Sequence, residues 1–231
     1  MLQPVADEKN GNSRGRRSRE EILDAASRIM AERGYAATSL SVLSRETGLP
    51  KSAVYHHFQS KAGLLSAVMA RGAYDFFSAM REAQAGGPEG GTARERLTWY
   101  LLRTGEVFTA RADFLRLHLI LIMSAEAAEA EVEAIIEQVR RDGRAHMNTM
   151  IAASFAAEGP DIAQAVADDL DYFGIAGFDG AFVASQADPA RVLPAQMTLL
   201  AEAMAALGEA RVAALRLSRP TSPAQEPTPH P

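Results

Sequence analysis

The chain has 231 residues, is 47% hydrophobic but only 6% aromatic, and carries a formal net charge of -5. Such a length buries one large core or two modest ones, and the abundance of Ala, Leu, Arg and Glu favours helix. Zero cysteines exclude disulfides, thiolate metal sites and cysteine nucleophiles. No apolar run approaches the roughly 20 residues of a membrane span, and the polar, basic start lacks the apolar core of a signal peptide. A cytoplasmic, all-α protein without membrane association is expected.

Charge is divided unevenly. Residues 1–65 hold ten Lys/Arg against seven Asp/Glu, and the rest hold fourteen against twenty-two, so a basic head precedes an acidic body. All three lysines, Lys9, Lys51 and Lys61, fall in the head, and residues 9–19 carry five positive groups and no acid. A flexible basic arm over 1–17, able to follow a phosphate backbone, is expected.

Ser18 and Glu21 form a capping box that opens a first helix, whose Ile22, Leu23, Ala26, Ile29 and Met30 make one apolar face before Gly34 ends it. Tyr35 reads as core. Thr38 or Ser39 caps a second helix with Leu40 and Leu43 inward, and Gly48 supplies the positive φ of a sharp turn. Leu49 and Pro50 lead into a third helix that ends near Phe58. A short helix, a glycine turn and a second short helix are the layout of a DNA-reading helix-turn-helix. Ser60 then caps a longer fourth helix, about 60–84, carrying Leu64, Leu65, Val68, Met69, Tyr74, Phe76 and Phe77.

The Gly/Pro run at 86–91 is the clearest internal break. Beyond it, amphipathic segments near 92–109, 112–124, 129–158, 161–187 and 189–216 predict five more helices, about nine in all. Residues 217–231 hold five of the eleven prolines and are expected to be a disordered tail.

Residues 38–65, with Gly48, Tyr55, His57, Phe58 and Lys61 in this order and spacing, resemble the DNA-binding head of the tetracycline-repressor (TetR) family of bacterial transcription regulators. The resemblance extends back through the first helix and covers 18–66; the remainder matches in helical character and length. It implies a three-helix DNA-binding unit over 18–66 followed by a larger helical effector-binding and dimerisation domain over 92–216. Carried over position by position, Lys51, Ser52 and Ala53 start the recognition helix, Tyr55 and His56 lie one turn on, and Lys61 opens the fourth helix. Lys51 and Ser52 suit a base edge or phosphate, Tyr55 a phosphate, and Lys61 the anion site of a helix start. Thr38 and Ser39 are candidate phosphate contacts as well as caps, while His57 and Phe58 read as packing. Two positions depart from the family: Pro50 stands where Ser or Thr caps the recognition helix, and Gly63 where Glu often follows the lysine.

The resemblance also implies a small-molecule pocket in the body and a homodimer through the last two long helices. Segment 168–187 is apolar around much of its circumference and rich in small residues, and Val192, Leu193, Met197, Leu199, Leu200, Met204 and Leu207 offer the second stripe. Candidate pocket residues are Trp99, Phe108, Phe114, His118, Ile122, Met123, Met147, Met150, Ile151 and Phe173, a mostly apolar set suited to an apolar or aromatic effector. His118, His146 and Glu126 lack ligand spacing, so neither metal nor cofactor is expected. An enzyme is disfavoured: no P-loop, G-x-S-x-G, H-E-x-x-H or dinucleotide fingerprint is present. The expected function is a ligand-released dimeric repressor of a pseudo-palindromic operator. The alternative is an activator, or a helical binding module whose helix-turn-helix serves as a docking surface.

Overall fold

The structure, a computed structural model, describes residues 8–124, 129–188 and 190–218, with side chains from residue 15 onward. Among these residues all regular structure is helical: α1 (Glu8–Arg33), α2 (Leu40–Thr47), α3 (Lys51–Phe58), α4 (Lys61–Ala83), α5 (Ala93–Ala110), α6 (Ala112–Ile122), α7 (Ala130–Ser154), α8 (Pro160–Ala187) and α9 (Leu193–Ser218), with a 3₁₀ turn at Ala156–Glu158. The all-α expectation and its helix order hold. The residues described pack as two compact units whose division falls inside α5 and α7: one takes residues up to 87 and 103–143, the other 88–102 and 144 onward.

The start of α1 differs from the expectation. Helix begins at Glu8, so Ser18 and Glu21 lie inside it and form no capping box, and the basic segment expected as a flexible arm is helical from that point. Arg and Glu are good helix formers, and Arg17 pairs with Glu21 one turn on at 3.0 Å, so nothing in the segment stops the helix at Ser18. Residues 1–7 of the expected arm, Glu126, and the tail from 219 lie outside the described residues.

In the first unit, Ile22, Ala26, Ile29 and Met30 of α1 are fully buried with Leu43 of α2 and Leu64, Leu65 and Met69 of α4. Helix α6 adds Leu117 and Leu121, and Phe76 of α4 meets Phe108 and Phe114 with ring centroids 5.4 Å apart. Gly72 admits that cluster, because a Cβ there would stand 2.6 Å from the Phe114 ring. Arg71 ties α4 to α1 through Glu20 and Asp24, at 3.2 and 2.8 Å.

In the second unit, α8 and α9 pack side by side, with Val166, Ala167, Phe178 and Phe182 facing Met197, Ala201, Met204 and Ala205 in the core. Three glycines set the closeness of approach: Gly174 lies under Met147, Gly177 under Leu200 and Gly208 against the buried Phe155 ring. Arg144 and Asn148 of α7 donate to Asp171 of α8, at 2.9 and 3.3 Å, so that buried carboxylate is matched. Tyr172, Phe173, Val183, Leu199 and Leu207 remain exposed on α8 and α9.

Candidate functional site

Two eight-residue helices are too short to persist on intrinsic propensity, and a side-chain cap on α2 together with side-chain bonds in the turn between them holds the pair. The Ser39 hydroxyl accepts the Val42 amide at 3.2 Å. At the far end of α2, Thr47 accepts the Leu49 amide, the Ser44 hydroxyl donates to the Leu49 carbonyl at 2.7 Å, and Gly48 takes φ +70°. These bonds close the turn on itself and aim α3. Pro50 precedes α3 as its N-cap in extended backbone without a side-chain bond, and its carbonyl accepts the Ala53 amide at 2.9 Å.

Within α3, Val54 and Phe58 are buried one turn apart, which turns Lys51, Ser52, Tyr55 and His56 together to solvent. Tyr55 is 56% exposed. Ala53 is half-buried between the two faces. The helix is braced behind: the Arg19 guanidinium lies over the Phe58 ring at 5.3 Å, and His57 stands edge-on to Phe58. Burial, then the charges of His56 and Arg19, hold the His57 imidazole below its usual pKa and favour the neutral, packed form.

The junction from α3 to α4 is unusually tight. Gln59 has φ +60° and ψ -40°, and the Ser60 amide donates to the Phe58 carbonyl at 2.6 Å, a strained γ-turn. Ser60 then caps α4 by accepting the Gly63 amide at 2.9 Å. A Cβ on Gly63 would collide with the Phe58 carbonyl, so the glycine that departs from the family pattern is what lets the two helices join without a linker.

Two candidate DNA contacts also bond within the protein. Thr38 is fully buried, its hydroxyl donating to the Gly34 carbonyl at 3.1 Å, which closes the end of α1. Lys61 is half-buried; its ammonium donates to the Ala36 carbonyl at 3.0 Å and sits 4.2 Å above the Tyr35 ring, clasping the α1–α2 turn to α4. Ser39 is exposed as expected. The sequence had no sign of the Gln59 turn, since a glutamine does not announce a positive φ as Gly or Asn would.

The candidate pocket residues divide between the units. Phe108, Phe114 and His118 are buried and Ile122 half-buried in the first; Met147, Met150 and Ile151 are buried and Trp99 half-buried in the second. Met123, 86% exposed just past the end of α6, and Phe173, 44% exposed on α8, are not enclosed as pocket walls would be. His118 is the one sharply perturbed group. It is 4% exposed, stacks parallel on Phe114, and its Nδ1 is buried with no hydrogen-bond partner among the described residues. Burial, with the Arg140 charge second, lowers its pKa to about 4, so it is neutral near pH 7. Among the described residues no group of carboxylates or imidazoles is placed to hold a metal ion, and no helix is long and apolar enough to cross a membrane.

Comparison with known proteins bears on the head and the body differently. A family model described as bacterial regulatory proteins, tetR family, matches residues 22–68. The HTH-type transcriptional repressor KstR2 of Rhodococcus jostii is 35% identical over 97 residues, 42% of this chain and 46% of that protein. The HTH-type transcriptional activator FasR of Mycolicibacterium smegmatis is 36% identical over 78 residues, 32% of this chain and 36% of that protein. The chain thus spans less than half the length of these curated relatives. Among solved structures, a putative transcriptional regulator from Pseudomonas aeruginosa PAO1 superimposes with a TM-score of 0.66 at 20% identity, over 87% of this chain and 93% of that one. FadR from Bacillus subtilis, in complex with stearoyl-CoA, gives 0.61 at 18% identity, over 80% and 97%. At such identity the body shares the fold of these structures.

Proposed function

We propose that the chain is a TetR-family transcriptional regulator rather than an enzyme, a homodimeric repressor that reads a pseudo-palindromic operator with α3 and leaves it when a small molecule enters the body. The observation that carries this reading is the exposed set Lys51, Ser52, Tyr55 and His56 on a helix anchored from behind by Val54 and Phe58. Lys51 reaches a guanine edge or a phosphate, Ser52 bonds either, and Tyr55 holds a phosphate through its hydroxyl. His56 and Ala53 lie along the same approach, and Ser39 offers its hydroxyl at the start of α2. Two such helices in a two-fold dimer enter successive major grooves about 34–36 Å apart.

The unpartnered apolar side chains of α8 and α9, Tyr172, Val183, Leu199 and Leu207 among them, support pairing of these helices across the two-fold axis. A small apolar or aromatic effector is supported by the apolar burial around Phe108, Phe114, Met147, Met150 and Ile151, and by the stearoyl-CoA held in the FadR structure. Its binding shifts the population of dimers toward a spacing that no longer fits the operator. The γ-turn at Gln59 supports α4 as the lever, because movement of α4 passes to α3 without a flexible linker. An activator is the second reading, favoured by the kinship with FasR, and transcription in vitro from the bound promoter separates the two.

Fluorescence anisotropy with the upstream intergenic DNA against a scrambled duplex, across a salt series, tests the proposal. Sequence-specific binding with a steep salt slope is expected. Equal, weak binding of the upstream and scrambled duplexes, with no preference in a selection from random duplexes, would leave a docking module and not a DNA reader.

A further inference from the structure

In the first unit an open cleft of about 670 Å³ lies between α1, α4 and the turn from α5 into α6, a volume in the range of small-molecule sites. Six charged side chains line it: Glu20, Asp24, Arg71, Asp75, Arg111 and Asp113. Four of them are matched within the protein. Arg71 donates to Glu20 and Asp24, and Asp113 pairs with Arg116 at 3.3 Å. Asp75 and Arg111 are left. Neither side chain has a hydrogen bond or ion pair among the described residues, and the two do not pair with each other although they share the cleft. Asp75 is half-buried on α4. The Phe114 edge, pressed against Gly72, supplies an apolar floor.

One unmatched negative and one unmatched positive charge over an aromatic floor define a ligand that carries both signs. We propose that this cleft binds a zwitterion of the amino-carboxylate class, its ammonium on Asp75, its carboxylate on Arg111 and its carbon chain across Phe114. A metal ion does not fit, since no set of described carboxylates converges on one point and two guanidiniums stand beside the space. A simple amine or a simple acid satisfies only half of the site. Because the cleft is walled by α1 and α4, whose mutual tie is Arg71, occupancy changes the pose of the head and with it operator affinity. This last consequence rests on the head being a DNA reader; the binding itself does not.

Isothermal titration of the full chain with 4-aminobutyrate and 6-aminohexanoate, against hexylamine and hexanoate, tests the site. At least one zwitterion is expected to bind tenfold or more tightly than both single-charge analogues, and Asp75→Asn and Arg111→Gln are each expected to weaken it at least tenfold. Neither side chain has a partner to lose, so the circular dichroism and melting temperature of both variants should match the parent; if Asp75→Asn fails to fold, the exposed Arg111→Gln carries the test alone. Equal binding of all four compounds, no heat with any of them, or full binding by the variants overturns the proposal. Operator anisotropy with and without the zwitterion is a separate readout, changed in the parent and unchanged in the variants. A head that ignores all DNA would sink the regulatory consequence while the titration still decides the site.

Discussion

The α2–α3 pair and the α8–α9 pair are both consecutive helices, yet they are held together by opposite means. The first has eight residues per helix and is fastened by hydroxyls, Ser39, Ser44 and Thr47, each reaching a backbone group no more than five residues away. The second has 28 and 26 residues and relies on an absent side chain: Gly177 of α8 leaves the room that Leu200 of α9 fills, as Gly208 of α9 does for Phe155 at the end of α7. Local polar chemistry orients a short helix pair cheaply in residues, whereas close packing of long helices builds a large core.

The comparison breaks first where packing is deepest. Phe155, about 2% exposed against Gly208, has no local bond to replace, and Phe155→Ala is expected to cost about 3–5 kcal/mol, read as a lowered urea midpoint. Acidification should come next. The His118 imidazole is held at about 4 in the folded chain against about 6.5 unfolded, so between these values the unfolded state binds more protons. Its contribution to stability is intact above pH 6.5 and is lost as pH falls toward 4, on the order of 3 kcal/mol. His118→Leu should remove that part of the slope, and identical slopes in the two proteins would refute the assignment.

Gly63→Ala places a Cβ against the Phe58 carbonyl and should destabilise by about 1–3 kcal/mol despite the better helix propensity of Ala, with a larger proportional loss of operator affinity because the α3–α4 junction must open. A neutral or stabilising result would show the junction to be loose. The sharpest contrast is between neighbours in the head. Lys51→Ala and Tyr55→Ala should each lose about 1–3 kcal/mol of specific operator binding while melting within about 0.5 kcal/mol of the parent. Thr38→Val should do the reverse, losing about 1 kcal/mol of stability through the Gly34 bond and leaving operator affinity unchanged. Anisotropy and thermal melts on the same three proteins check both halves.

Helix order, the glycine turn at 48, the cap at Ser39 and the outward set on α3 were legible in the sequence, since each depends on residues within one or two turns of one another. The start of α1 was not, because a capping box marks a possible helix start and cannot forbid a helix from running through it. The backbone bonds of Thr38 and Lys61 were not legible for a related reason: a hydroxyl or an ammonium near a helix start suits a phosphate and a backbone carbonyl equally, and only the folded α1–α2 turn brings the Gly34 and Ala36 carbonyls within reach. Met123 and Phe173 carried the composition of a pocket wall without its position, because apolar side chains at helix ends and on partner-seeking faces share the same periodicity.

By itself, then, the sequence determined the helical class and the helix-turn-helix layout, which follow from short-range periodicity and spacing, while the TetR resemblance rests on particular residues of the head, Gly48, Tyr55, His57, Phe58 and Lys61. Tertiary structure decided which polar groups remain available: it took Thr38 and Lys61 into the scaffold, left Asp75 and Arg111 unmatched across one cleft, and buried His118 without a bond. The physical reason is that a polar group's role depends on whether another part of the chain satisfies it, and those partners lie up to 25 residues away for Lys61 and 51 for Arg71, beyond the reach of any local pattern.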